Sequence, residues 1–215
     1  ALPAPIAAAR NLRCDVAVIG GSVGGVAGAL AALRNGMRVV MTEETDWVGG
    51  QLTSQAVPPD EHPWIEQFGA TELYRTYRRG VREHYRRHYP LTAEARGRAR
   101  LNPGDGSVSD ITHEPRVSLA VLENMLAPYV SGGQLVVLLN HRPARADADG
   151  DKVRAVTVRS TQSGMEKTIE APYFLDATEQ GDLLPLTKTE YVTGFEARRQ
   201  PNNIQSFTVC FAVDH

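Results

Sequence analysis

Apolar positions along the chain follow three rhythms. Short apolar runs form the centres of 16–19, 38–43, 134–139 and 171–176. Such runs suit parallel strands buried on both faces. Between them the apolar positions take helical spacing. Residues 24–35 are rich in Ala and Leu, 66–89 offers Phe68, Leu73, Tyr77 and Val81 to a core, and 117–130 offers Leu119, Leu122, Met125 and Leu126. The third rhythm is strict alternation at Val153, Ala155, Val156 and Val158, flanked by Asp149-Gly150-Asp151 and Gln162-Ser163-Gly164. This predicts an antiparallel meander over about 142–170 that packs on the sheet as a lid. The pattern as a whole predicts an α/β fold: a Rossmann-like parallel sheet flanked by helices, with an antiparallel β-meander.

Proline and glycine mark the boundaries. Pro115 sits where a helix start tolerates its missing N–H, Ser131-Gly132-Gly133 ends that helix, and 97–109, with Asn102-Pro103-Gly104-Asp105-Gly106, is a loop. The opening Ala1-Leu2-Pro3-Ala4-Pro5 has no methionine and reads as a leader over 1–13. Removal of an export signal and simple trimming both explain it, so an exported and a cytoplasmic location stay open. At the other end, 205–212 reads as a strand and the chain stops at Asp214-His215 without a closing element, as expected of part of a longer polypeptide.

Composition adds exclusions. With 42% hydrophobic and 22% charged residues the chain is an ordinary globular sequence, and its 215 residues can bury a real core. A net charge of −2 supplies no field for nucleic acid. The basic stretch Arg75, Arg78, Arg79, Arg82, Arg86 and Arg87, with His84 and His88, reads as a solvated helix face, because no stacking platform accompanies it. No run reaches the roughly 18 apolar residues of a membrane span. Cys14 and Cys210 form no CxxC, which argues against a redox disulfide and against a metal site of zinc type.

The chemistry centres on Gly20-Gly21-Ser22-Val23-Gly24-Gly25, directly after the first strand and at the start of an Ala-rich helix. A glycine turn there lets the backbone approach a pyrophosphate, and the helix start presents amides and its positive dipole end to the phosphates. Glu43 closes the second strand 23 positions beyond Gly20, the spacing of the acid that accepts ribose hydroxyls and repels a 2′-phosphate. Strand, turn, helix, strand and acid in this order read as a dinucleotide site. Gly49-Gly50 follows closely, either as a surface turn or as a loop returning to the pyrophosphate. Asn140-His141-Arg142-Pro143 leaves the end of a strand, where adenine pockets form. Gly181-Asp182 follows another strand, with Asp182 as a hydroxyl ligand or as a helix N-cap.

Three segments in this order resemble the FAD-dependent oxidoreductases of the glutathione-reductase-like fold. They are Val18-Ile19-Gly20-Gly21-Ser22-Val23-Gly24-Gly25 through Glu43, then Gly49-Gly50-Gln51-Leu52-Thr53, then Asp176-Ala177-Thr178-Glu179-Gln180-Gly181-Asp182. The resemblance runs from about Cys14 to Asp214. It implies non-covalent FAD, with Gly20, Gly21, Ser22, Val23, Gly24 and Gly25 on the pyrophosphate and Glu43, beside Glu44, on the adenosine ribose. It further places Gly49, Gly50, Gln51 and Leu52 along the pyrophosphate and flavin side, and Arg142 and Pro143 at the adenine edge. Thr178, Gly181 and Asp182 would meet the ribitol and second phosphate. Ser22 departs from the pattern, which has glycine there; its hydroxyl can still donate to phosphate.

The expected organisation is a cofactor domain over 14–195, with a helical insertion at about 60–112, followed by 196–215 leading into a substrate domain. The implied activity is hydride transfer from a C–H or C–N bond of a small molecule to the flavin, with reoxidation by oxygen or another acceptor. A base for the substrate proton is not identified; His113 and His215 are weak candidates, with His62 behind them. A non-catalytic FAD- or NAD-binding module, one part of a multi-chain flavoprotein, and an NAD-dependent dehydrogenase are the alternatives. Partners are a small-molecule substrate and either the rest of the polypeptide or a second copy.

Overall fold

The structure is a computed structural model that describes residues 10–194 together with Ser206 and Val209. The expectations at 205–212, at His215 and at Cys210, and most of the leader, lie outside the described residues. In chain order the elements are β1 (Asn11–Arg13), β2 (Val16–Ile19), α1 (Val23–Arg34), β3 (Val39–Thr42), α2 (Gln51–Ser54), α3 (Glu72–His88) and α4 (Ala93–Gly97). They continue with α5 (Pro115–Ser131), β4 (Leu135–Leu138), β5 (His141–Asp149), β6 (Lys152–Ser160), β7 (Glu166–Glu170), β8 (Tyr173–Asp176) and α6 (Leu183–Thr187).

Two four-stranded sheets result. The parallel one runs β4-β3-β2-β8, and the other runs β1-β7-β6-β5. In the second sheet β5, β6 and β7 pair antiparallel, as the alternation predicts, and β1 adds in parallel to β7. The period of two along a strand explains why the parallel strands are apolar without interruption. Val16, Val18, Val39 and Met41 pack against the helices, while Ala17, Ile19 and Val40 pack against Leu12, Val156, Val158 and Ile169 of the other sheet. One sheet therefore walls two cores. Val156, Val158 and Ile169 are fully buried, and burial of such side chains stabilises by about 1.5 to 3 kcal/mol each.

Four expectations are corrected. The leader does not extend to residue 13, because Leu12 enters the inter-sheet core and Asn11–Arg13 pair with β7. The strand at 171–176 is not buried: β8 is the sheet's edge, with Tyr173 66% exposed. Helix α3 begins at Glu72 and not at 66, since Gly69 takes φ +81 and the Thr71 hydroxyl caps the helix by accepting from Tyr74 N. That leaves Phe68 before the helix and exposed, outside the core to which the spacing assigned it.

The arginine face of α3 is not uniformly solvated. Arg78 and Arg82 are buried, and both reach the Glu66 carboxylate from one helical turn apart. Arg78 also meets Glu61 at 3.3 Å, and Arg82 Nε donates to the Leu101 carbonyl at 2.9 Å. Burial raises the Glu66 carboxyl, but hydrogen bonding and charge from Arg82, then charge from Arg78, outweigh it and lower the group below its usual range. Stability drawn from that shift is present above the ordinary carboxylate value and is lost as pH falls through the depressed one. Glu66→Ala leaves two buried guanidiniums without their shared partner and should destabilise the fold by about 3 to 5 kcal/mol. Arg79→Ala, at an exposed pair with Glu72, should stay within about 0.5 kcal/mol. Urea denaturation of both variants checks the contrast.

Candidate functional site

The carboxyl ends of β2, β3 and β8 meet at one turn. Gly20 follows β2 with φ +108 and donates its N–H to Thr42 Oγ1 at 3.1 Å. Across from it, the N–H of Ala177 donates to the Ile19 carbonyl at 2.7 Å. A Cβ on Gly20 would overlap the Ala177 carbonyl, and one on Gly25 would overlap the Gly20 carbonyl. These glycines exist for backbone-to-backbone approach inside the protein. Gly24 is different: its nearest neighbour would be Ser22 Oγ at 3.7 Å, and its surface faces outward.

Ser22 is the N-cap of α1, its Oγ accepting from Gly25 N at 3.2 Å. The hydroxyl proton stays free to donate. The first intrahelical bond runs from Val26 N to Ser22 O, so the amides of Val23 and Gly24 have no acceptor within the helix. Two outward amides, a hydroxyl and the positive end of a helix dipole make an anion cradle.

Glu43, buried just past β3, braces this turn. Its Oε2 accepts from Gly21 N at 3.0 Å, and its Oε1 accepts from Thr45 N at 2.9 Å and Thr45 Oγ1 at 2.8 Å. A carboxylate offers about four acceptor positions. Three are used, which leaves room for one ligand hydroxyl. The second glycine pair is tied to the first, because Gly49 N donates to the Gly21 carbonyl at 2.7 Å. Gly49 and Gly50 both take positive φ.

The turn after β8 is organised by Asp176. Its Oδ1 accepts from Thr178 N and Oγ1, and its Oδ2 from Leu183 N at 3.0 Å. Thr178 Oγ1 in turn accepts from Asp182 N at 2.7 Å. Asp182 occupies the N-cap position of α6 without a side-chain cap bond, so its carboxylate remains available to the cleft.

A cleft at these strand ends gathers Gly20, Ser22, Glu43, Glu44, Gly50, Pro143, Thr178 and Asp182 from among the anticipated residues. It adds His141, from the turn expected beside an adenine pocket, and Thr42, Thr45, Trp47, Ser54, Ala177 and Glu179, which sequence reading missed as site residues. Thr42 and Thr45 had a signal in their positions flanking the acid; Glu179 had none beyond its place in the last motif. Arg142 lines the adjoining groove with Pro143, Glu44 and Glu179. Val23 and Leu52 line a separate apolar cleft among α1, α2, α3 and α5. Gly21, Gly24, Gly25, Gly49, Gln51 and Gly181 do not line the main cleft; several of them shape its backbone.

The candidate bases His113 and His62 lie elsewhere. His113 sits between α3 and α5, its Nδ1 2.5 Å from the Ile111 carbonyl and its Nε2 within bonding distance of Tyr77 OH and Ser118 Oγ. Burial lowers its pKa against the opposing hydrogen bond to the Ile111 carbonyl; a carbonyl can only accept, so Nδ1 carries a proton. His62 accepts from Trp64 N through Nδ1 and packs near Trp64 and Phe68. No helix among the described residues is long and apolar enough to cross a membrane.

Known proteins resemble this chain at the level of family and fold. The family model described as FAD dependent oxidoreductase matches residues 15–215. No curated protein matches the sequence. Among solved structures, the glycerol-3-phosphate dehydrogenase from Bacillus halodurans complexed with FAD is similar at TM-score 0.53 and 16% identity, over 83% of this chain and 37% of that one. Sdh1 of Mycobacterium smegmatis in complex with UQ1 follows at TM-score 0.48 and 13% identity, over 77% and 34%. The L-proline dehydrogenase from P. horikoshii follows at 0.41 and 17%, over 79% and 23%. The chain thus spans about a quarter to three-eighths of these structures' lengths.

The two kinds of glycine can be separated by measurement. Gly20→Ala, strained by its positive φ and by overlap with Ala177, should lose about 2 kcal/mol or more. Gly24→Ala should remain within about 0.5 kcal/mol of the parent. Thermal melts of the two variants provide the check.

Proposed function

The chain belongs to the FAD dependent oxidoreductase family, whose model it matches from residue 15 to residue 215, and from that premise we propose that the cleft at the ends of β2, β3 and β8 holds the adenosine diphosphate half of FAD. The observation that carries this reading is the joining of three separate segments, the Gly20–Gly25 turn, Gly49-Gly50 and Ala177-Thr178, around one cleft. The residues present fit the cofactor. The outward amides of Val23 and Gly24 and the Ser22 hydroxyl would take the pyrophosphate. Glu43 would accept one ribose hydroxyl at its remaining acceptor position, with Glu44 beside it. Arg142 and Pro143 would edge the adenine. Gly50, Gln51 and Leu52 would lead toward the flavin, and Thr178, Gly181 and Asp182 toward the ribitol and second phosphate.

When bound, the flavin supplies the capacity to accept a hydride and pass electrons on. The protein's own part is to bind, orient and neutralise. The α1 amides offset phosphate charge, and the hydrogen bond from Gly21 to Glu43 keeps the ribose acid in place before any ligand arrives. The proposed reaction is oxidation of a small molecule at a C–H or C–N bond, with oxygen or another acceptor closing the cycle. Of the described histidines only His141 lines the cleft, and the weak base candidates His113 and His62 lie away from it. Gly49 bound to Gly21 favours the flavin over a nicotinamide dinucleotide, whose turn needs no second glycine pair.

Purified full-length protein should show flavin bands near about 370 and 450 nm; a colourless protein that takes up no FAD refutes the proposal. Anaerobic bleaching by a panel of reductants separates the enzyme from a binding module, which none of them would bleach. Glu43→Gln should weaken FAD binding by roughly tenfold to a hundredfold, the worth of one charge-assisted hydrogen bond. Fluorescence titration reads that loss, and circular dichroism shows whether the fold is intact.

A further inference from the structure

Four carboxylates line the cleft, those of Glu43, Glu44, Glu179 and Asp182, and Glu179 is the one that lies against Gly50 and Ser22. It follows β8 on an exposed turn, yet its carboxylate reaches back to the second glycine pair. A Cβ on Gly50 would overlap its Oε1, and the Ser22 Cα lies close by that same position at 3.1 Å. The carboxylate therefore rests between the N-cap residue of α1 and that of α2, beside the anion cradle. Burial there, and then the charges of Glu43 and Glu44, hold its carboxyl above the usual carboxylate range. Asp182 and His141 face the same cleft. The groove on the other side of Glu179 is lined by Arg142 and Arg159 as well as by Glu44 and Asp182. Arg159 there already pairs with Glu166 at 2.7 Å.

We propose that Glu179 is an internal anion that occupies the edge of the pyrophosphate cradle in the cofactor-free protein and swings toward the arginine-lined groove when FAD enters. The inference rests on the FAD reading of the cleft. Two like charges cannot share the space beside Gly50, so the side chain has to leave before the phosphates settle. Its rest position is uncomfortable, being crowded by two other carboxylates, and its alternative position is flanked by guanidiniums. The displacement is a side-chain rotation on an exposed turn and breaks no hydrogen bond of the Asp176-centred turn. Glu179 accordingly acts on entry of the cofactor and not on its retention.

The test is stopped-flow association of FAD with the full chain, read by flavin fluorescence, for the parent, Glu179→Gln, Glu179→Ala and Glu123→Gln. The last removes the same charge from an exposed position on α5. Both Glu179 variants should associate about threefold to tenfold faster, with dissociation unchanged, and Glu123→Gln should match the parent. Unchanged association in both Glu179 variants overturns the proposal. So does faster dissociation, which would make Glu179 a ligand of the cofactor, and so does an equal gain in Glu123→Gln, which would make the effect one of net charge. If no variant and no parent protein binds FAD while all remain folded by circular dichroism, the FAD reading itself fails and this inference falls with it.

Discussion

The structure hangs on how closely three strand ends can approach one another. Gly20 lies against Ala177, Gly25 lies against Gly20, and Gly49 bonds to Gly21. Each approach is possible only because a side chain is missing on one side of it. Bringing the three segments together leaves the first amides of α1 facing outward beside an acid that is already anchored. The site is therefore assembled by the fold, and binding a ligand need not pay for ordering it.

This assembly assigns the glycines a different division of labour from that of the bare motif. Gly20 and Gly25 serve contacts within the protein, and Ser22 can stand where the pattern has glycine because that position is the N-cap, where serine is a preferred residue. Its oxygen closes the helix start while its proton points elsewhere. The departure from the pattern thus replaces a featureless position with a capped one that keeps a donor.

Features set by local rules were readable in advance. The glycine turn after an apolar strand, the acid ending the next strand, the meander's alternation and Pro115 at a helix start all follow from neighbours a few residues apart. What escaped depends on partners distant in sequence. Arg78 and Arg82 share a helix with truly exposed arginines, and only Glu61 and Glu66, delivered by the preceding loop, make their burial tolerable. Thr45 and Glu179 enter the cleft because turns from different parts of the chain converge on it. β8 has the apolar composition of an inner strand but the position of an edge, a matter of sheet order that composition does not encode.

Cys14 carries one more consequence. It lies at the junction of β1 and β2, buried in the layer between the two sheets, and burial pushes its thiol up to about 11. At neutral pH almost none of it is thiolate, the form that reacts with disulfides and alkylating agents. Its labelling rate thus follows the parting of the meander from the parallel sheet, and a ligand held in the cleft by the folded protein slows it by mass action.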